Sequence, residues 1–175
     1  MQKYVAFLRA INVGGTSIIK MDMLRKYFES FGLENVQTYI QTGNVIFETK
    51  EKNASLLEKK IESQLEKALG YNVAIFLRTM PEVVSIAGES PFEPKENETV
   101  HIAFLREKPG PKAVKELLTH DSKADEFIVK GREVYNLRHD RDASIFSNQF
   151  IEKVLGIPAT TRNQTPIRKI AEKYK

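Results

Sequence analysis

The chain has 175 residues, 41% of them hydrophobic, with 27 basic against 23 acidic side chains, a net charge of +4 and a pI of about 9.2. That length suits one compact domain or two small ones; no run of about eighteen apolar residues is present to form a transmembrane helix. Met1-Gln2-Lys3 enters a strand without the charged-then-apolar pattern of a signal peptide, and the lack of cysteine excludes disulfide and thiolate chemistry, which makes a reducing cytoplasm the default compartment.

Residues 4 to 8, Tyr-Val-Ala-Phe-Leu, read as a buried strand that opens into the polar loop Asn12-Val13-Gly14-Gly15. Asp22 has the chemistry of a helix N-cap, and Leu24, Tyr27, Phe28 and Phe31 follow at helical spacing up to Gly32. Val36 to Ile40 is a second strand by its β-branched and aromatic content. Thr42-Gly43-Asn44 turns the chain and Val45-Ile46-Phe47 returns as the hairpin partner. Ser55 and Glu58 have capping-box spacing for a helix carrying Leu57, Ile61, Leu65 and Leu69, closed by Gly70. Val73 to Leu77 is the fourth strand. The order βαββαβ is the split βαβ signature of a ferredoxin-like unit. A short helix from Thr79, Pro81 and Glu82 to Gly88 and a proline-rich linker from Ser90 to Asn97 follow.

The second half repeats the order. Val100 to Leu105 is a strand, and Val114, Leu117 and Leu118 form a helical stripe. Phe127 to Leu137 is a hairpin turning at Gly131. Phe146, Phe150, Ile151, Val154 and Leu155 lie on a helix ending at Gly156, Pro158 to Thr161 makes a weak last strand, and Thr165-Pro166 starts a final helix. Ala6-Phe7-Leu8-Arg9 matches Ala103-Phe104-Leu105-Arg106, and Leu69-Gly70 matches Leu155-Gly156. The expected architecture is therefore α+β, two related ferredoxin-like units from an internal duplication, spanning residues 1–90 and 98–175. Ala6 to Ala103 is an offset of 97 and Gly43 to Gly131 one of 88, so the second copy is nine residues shorter there. The extra length is the loop from Ala10 to Met21, and a loop not needed to build the unit is a place for function.

Phe7 to Gly15, Thr38-Tyr39-Ile40-Gln41-Thr42-Gly43-Asn44-Val45-Ile46-Phe47 and Thr160-Thr161-Arg162-Asn163 resemble the domain of unknown function 1697 family of uncharacterised bacterial proteins. Ala10 departs from the glycine frequent there, and Gln164 from the tryptophan that often follows Arg-Asn. The resemblance implies a cytosolic α+β protein and no particular activity.

Three functional readings are weighed. In the ferredoxin-like topology strands one and two are parallel, so the loop after strand one and the hairpin turn meet at one edge. That gathers Arg9, Asn12, Gly14, Gly15, Gln41, Thr42 and Asn44 into a donor-rich set suited to a small polar or anionic ligand. The backbone of Asn12 to Ser17 resembles an anion-receiving loop but lacks the P-loop lysine and the full Rossmann glycine pattern. A nucleic-acid module using the basic C-terminus (Arg162, Arg168, Lys169, Lys173 and Lys175) ranks second, and Arg162 and Asn163 form a candidate second patch. RRM-like stacking on the sheet ranks below the loop-end site, because both faces of strand one are apolar and a covered sheet cannot stack bases. An enzyme acting on a phosphorylated or carboxylated substrate is the third reading. His101, His120 and His139 have no partner at a catalytic or metal-binding spacing, and Arg138-His139-Asp140-Arg141-Asp142 reads as a solvated loop of alternating charge. No metal and no cofactor is expected.

Overall fold

The structure is a computed structural model, and it describes residues 1–9, 19–40 and 42–175. Among the described residues the order is β1 (Gln2–Leu8), α1 (Met21–Ser30), β2 (Glu34–Tyr39), β3 (Asn44–Thr49), α2 (Ala54–Leu69), β4 (Ile75–Thr79), α3 (Met80–Gly88), β5 (Thr99–Leu105), α4 (Pro111–Leu118), β6 (Asp125–Lys130), β7 (Glu133–Arg138), α5 (Asn148–Leu155), β8 (Ala159–Asn163) and α6 (Gln164–Tyr174). The strands form two four-stranded antiparallel sheets of identical order, β2-β3-β1-β4 and β6-β7-β5-β8. The registers correspond as well: Ala6 faces Val45 and Leu77, and Ala103 faces Val134 and Thr161. This is the duplicated ferredoxin-like arrangement that the repeated strand, hairpin and helix-end signals predict.

In the first unit α1 and α2 lay their apolar stripes on one sheet face, burying Tyr4, Ala6, Leu8, Phe28, Val45, Phe47, Ile61 and Leu77 in one cluster. In the second, Ala103, Leu105, Leu117, Phe127, Val134 and Ile151 form the counterpart. The alternate residues, Val5, Phe7, Ile46 and Phe76 in one sheet and Ile102, Phe104 and Tyr135 in the other, are buried too. At the central strands both faces are therefore withdrawn from water, as the apolar residues on both sides of the first strand require, while the edge strand β2 stays largely exposed. No helix among the described residues is long and apolar enough to cross a membrane.

Several local expectations change. Lys20 rather than Asp22 stands at the N-cap of α1; Asp22 lies inside the first turn, where a carboxylate still meets the positive helix end. Asn53 caps α2 by accepting from Leu56 N, displacing Ser55 from that role. Glu58 is buried and accepts from Leu77 N at 2.8 Å, tying the helix to β4 instead of closing a capping box. A reciprocal box exists at α3, where Thr79 N donates to Glu82 Oε2 (2.7 Å) and Glu82 N to Thr79 Oγ1 (3.3 Å). The last strand, β8, runs to Asn163 and equals β4 in length, five residues each.

The chain divides into Met1–Val84 with Ile170–Lys175, and Ser85–Lys169, not at a linker over residues 90–97. Phe92 is buried and Ser90 Oγ donates to Gln164 Oε1 (3.0 Å), so the proline-rich stretch is packed structure within the second unit. The last residues belong with the first unit because Lys3 Nζ donates to Tyr174 O (3.0 Å) and the Tyr174 ring stands edge-on to Tyr39.

Candidate functional site

β1 leaves its sheet between two neighbours. Leu8 N donates to Gly43 O (2.9 Å) and Arg9 N to Ala74 O (3.0 Å), so Arg9, half-buried, emerges beside the β2–β3 turn. In that turn Gly43 takes φ +79, a conformation glycine adopts without steric cost. Ile40 sits at φ +50, although a β-branched side chain is strained there. Asn44 is fully buried, and its amide donates to Tyr39 O (3.0 Å) and Thr42 Oγ1 (2.9 Å). Its side chain therefore braces the turn, while Thr42 is exposed. Asn12, Gly14, Gly15 and Gln41 lie outside the described residues.

The same junction recurs in the second unit. Leu105 N donates to Arg132 O (2.9 Å), Arg106 N to Pro158 O (3.2 Å), and Gly131 has φ +59. A cavity of about 560 Å³ opens at this end, walled by Pro109, Pro111, Val114 and Val129, with Lys108 and Lys115 beside them.

Arg162 and Asn163 are not a surface patch. Arg162 shares a face of β8 with Thr160 and is buried; it donates to Thr160 Oγ1 (3.0 Å) and Thr161 O (2.8 Å). Burial pushes its guanidinium down to about 10. Arg78 holds the corresponding place on β4, equally buried, and donates to Leu77 O at 2.8 Å. The Asn163 side chain accepts from Thr165 N (3.0 Å) at the start of α6. The exposed cations of the C-terminal segment are Arg168, Lys169, Lys173 and Lys175, and Lys173 Nζ lies 5.1 Å from the Tyr174 ring centre.

The loop expected to be solvated is exposed at Asp140, Arg141 and Asp142, while Arg138 and His139 at its start are half-buried and bonded. Asp125 is buried and accepts from Asn136 Nδ2 (2.9 Å), Ser144 Oγ (2.7 Å) and Ile145 N (2.9 Å), while Arg138 Nε donates to Ser144 Oγ (3.2 Å). Asp140 folds the loop by accepting from Asp142 N and Ala143 N. His139 bridges Glu98 (2.6 Å) and Glu126 (2.5 Å), bonds that push its pKa up. His101 is pushed down to about 4, first by burial and then by Arg138. Period-two alternation on β6 carries the signal for this network: it sets Asp125 on the face of Phe127 and Val129, an acid at a core-facing position.

The fold and this junction define an α+β protein of two ferredoxin-like halves. The profile of the family described as "Protein of unknown function (DUF1697)" matches residues 1–135, and the chain belongs to that family. It is similar in fold to a solved structure, the conserved bacterial protein SP0830 from Streptococcus pneumoniae, with 20% identity, a TM-score of 0.75 and coverage of 99% of each chain. No curated protein matches the chain.

Proposed function

We propose that the chain binds a small polar or anionic ligand at the loop end of its first unit. Arg9 grips the anion, Thr42 offers a hydroxyl, and Asn12, Gly14, Gly15 and Gln41 supply further donors; Asn44 serves by fixing the turn. What supports this reading is the bond from Leu8 N to Gly43 O, which brings Arg9 to the hairpin turn across more than thirty residues of sequence. The strained Ile40 next to Gln41 adds to it, since strain of this kind concentrates at binding sites.

The test is thermal unfolding in a panel of phosphate, citrate and nucleoside phosphates, because a ligand that binds only the folded state raises the melting temperature. A shift with at least one anion, lost in Arg9→Ala while the unliganded variant still unfolds cooperatively, is expected. No shift across the panel, or an equal shift in Arg9→Ala, defeats the reading. A nucleic-acid surface made by the exposed Arg168, Lys169, Lys173 and Lys175 is the second reading; it loses Arg162 and requires oligonucleotide affinity that falls steeply with salt.

A further inference from the structure

At the opposite end of the β2–β3 hairpin from Arg9, the first unit holds a crevice of about 470 Å³ between the end of α1, the end of β3 and the face of α2. That volume lies within the range of about 300–1,000 Å³ usual for small-molecule sites. Its inner wall is apolar: Leu33, Leu57 and Ile61 line it and are themselves buried. Leu56, 54% exposed, stands in the same lining as an apolar side chain with a large area left to water.

Two cations, Lys59 and Lys60, share the lining. The acid there, Glu51, accepts from Asn53 N (2.7 Å) and so is already engaged in the loop. Gln64 lines the crevice as well, and among the described residues its buried Oε1 has no hydrogen-bond partner; a buried acceptor in that state costs free energy that an incoming donor relieves. The fold does not require this opening to stay unfilled. In the second unit the counterpart connection, residues 139–147, buries Phe146 against Phe127 and His101. The four residues Lys50–Asn53 of the first unit include no apolar side chain.

We propose that this crevice is a binding site for a small amphipathic carboxylate whose apolar body carries a hydroxyl or N–H donor. The apolar body covers Leu33, Ile61 and Leu56, the carboxylate meets Lys59 and Lys60, and the donor reaches Gln64 Oε1. The proposal is independent of the loop-end site. Titration calorimetry of the full chain with 3-hydroxyoctanoate, octanoate and 1-octanol tests it.

The hydroxy acid is expected to bind one per chain, octanoate several-fold more weakly, and the uncharged alcohol at least tenfold more weakly. Lys59→Glu with Lys60→Glu should cost the two acids tenfold or more and leave the alcohol unchanged. Both lysines are exposed, so folding is not at stake. Gln64→Met should abolish the preference for the hydroxylated acid. Absence of binding at millimolar concentration, an alcohol that binds as well as the acids, or acid affinity unaffected by the double charge reversal overturns the proposal. Equal loss of hydroxy acid and octanoate in Gln64→Met overturns the role of the donor.

Discussion

On β1 of the first unit Tyr4 lies between Phe47 and Thr79; on β5 of the second, His101 lies between Asn136 and Asn163. The places are equivalent and the chemistry is not. Tyr4 stacks on Phe47 with ring centres 5.8 Å apart, and Phe28 closes on Phe47 at the same distance. In the second unit Asn136 hands its amide to Asp125, which also holds Ser144 and Ile145. One unit closes this end of its helix-facing core with rings alone, the other with Phe146 against Phe127 and His101 and a hydrogen-bonded carboxylate beside them. The two sheets stay alike on their other faces, where Arg78 and Arg162 occupy matching positions. A backbone topology therefore fixes where a core position is, while the residues around it decide whether it is filled by rings or by a polar network. The network tolerates less, because each member must keep its partner.

The largest effect is expected from placing the second unit's residue in the first. Phe47→Asn removes a fully buried ring and leaves an amide among aromatic neighbours. Loss of a buried Phe alone costs about 3–5 kcal/mol, and an unpaired buried amide adds to it. Urea unfolding measures it; a loss below about 2 kcal/mol would mean that this end of the first core is not closed by its rings.

Asp125→Ala should come next. It removes the acceptor of the Ser144 hydroxyl and the Ile145 N–H and leaves the Asn136 amide its longer 3.3 Å bond to Glu126 O, and losing a hydrogen bond to a carboxylate costs about 1.5–3 kcal/mol. A double-mutant cycle with Ser144→Ala sharpens the contrast. Coupling above about 0.5 kcal/mol marks a network, whereas additive losses would reduce Asp125 to separate contacts.

The second unit should also give the protein a pH dependence that the aromatic closure of the first cannot. His101, held down to about 4 by burial, binds its proton less readily folded than unfolded. Stability is then lost as pH falls from 6.5 toward 4. His139 is shifted the other way, so its contribution is whole below its ordinary 6.5 and is lost as pH rises through its raised folded value. Glu98, lowered by its bonds to Lys95 N and His139, contributes above 4.5 and loses that as pH falls through its folded value. Together these place the maximum of stability near pH 6.5. Urea midpoints across pH should lose part of the acid limb in His101→Phe and the alkaline limb in His139→Gln; unchanged profiles would show that neither histidine is linked to folding.

Much of this layout was legible in the sequence, because strands and hairpins announce themselves by period and by glycine. Gly43 and Gly131 mark the two turns, and the repeated Ala-Phe-Leu-Arg marks the central strands. The meeting of Arg9 with the hairpin turn followed from topology alone. Caps were less legible, since Ser55 and Asn53 have equal chemistry for the task and only the start of the helix decides between them. Charge along the chain makes Arg162 part of a basic cluster; its place on the buried face of β8 with Thr160, alternating with Thr161 and Asn163, turns it inward. The crevice beside α2 draws on Leu33, Glu51 and Gln64, which no local pattern links.

The smallest expected effect joins the comparison to the loop-end site. The second unit's hairpin puts only Gly131 in the left-handed region among its described residues, whereas the first puts Ile40 there at φ +50 besides Gly43 at φ +79, and Ile40 is 45% exposed. A non-glycine residue in that region costs about 1–2 kcal/mol, and glycine returns about 0.5–1 kcal/mol of this as lost backbone entropy. Ile40→Gly should therefore stabilise the protein by at most about 1.5 kcal/mol, read from the urea midpoint. The strained turn leads through Thr42 to Gly43, whose carbonyl accepts from Leu8 N next to Arg9, so under the proposed site relaxing it should weaken anion binding while stability rises. Ile40→Ala keeps the backbone cost and should keep the affinity. If glycine lowers stability, the isoleucine side chain contributes more by packing than the backbone loses by strain. If glycine raises stability and leaves affinity untouched, the strain has no part in binding.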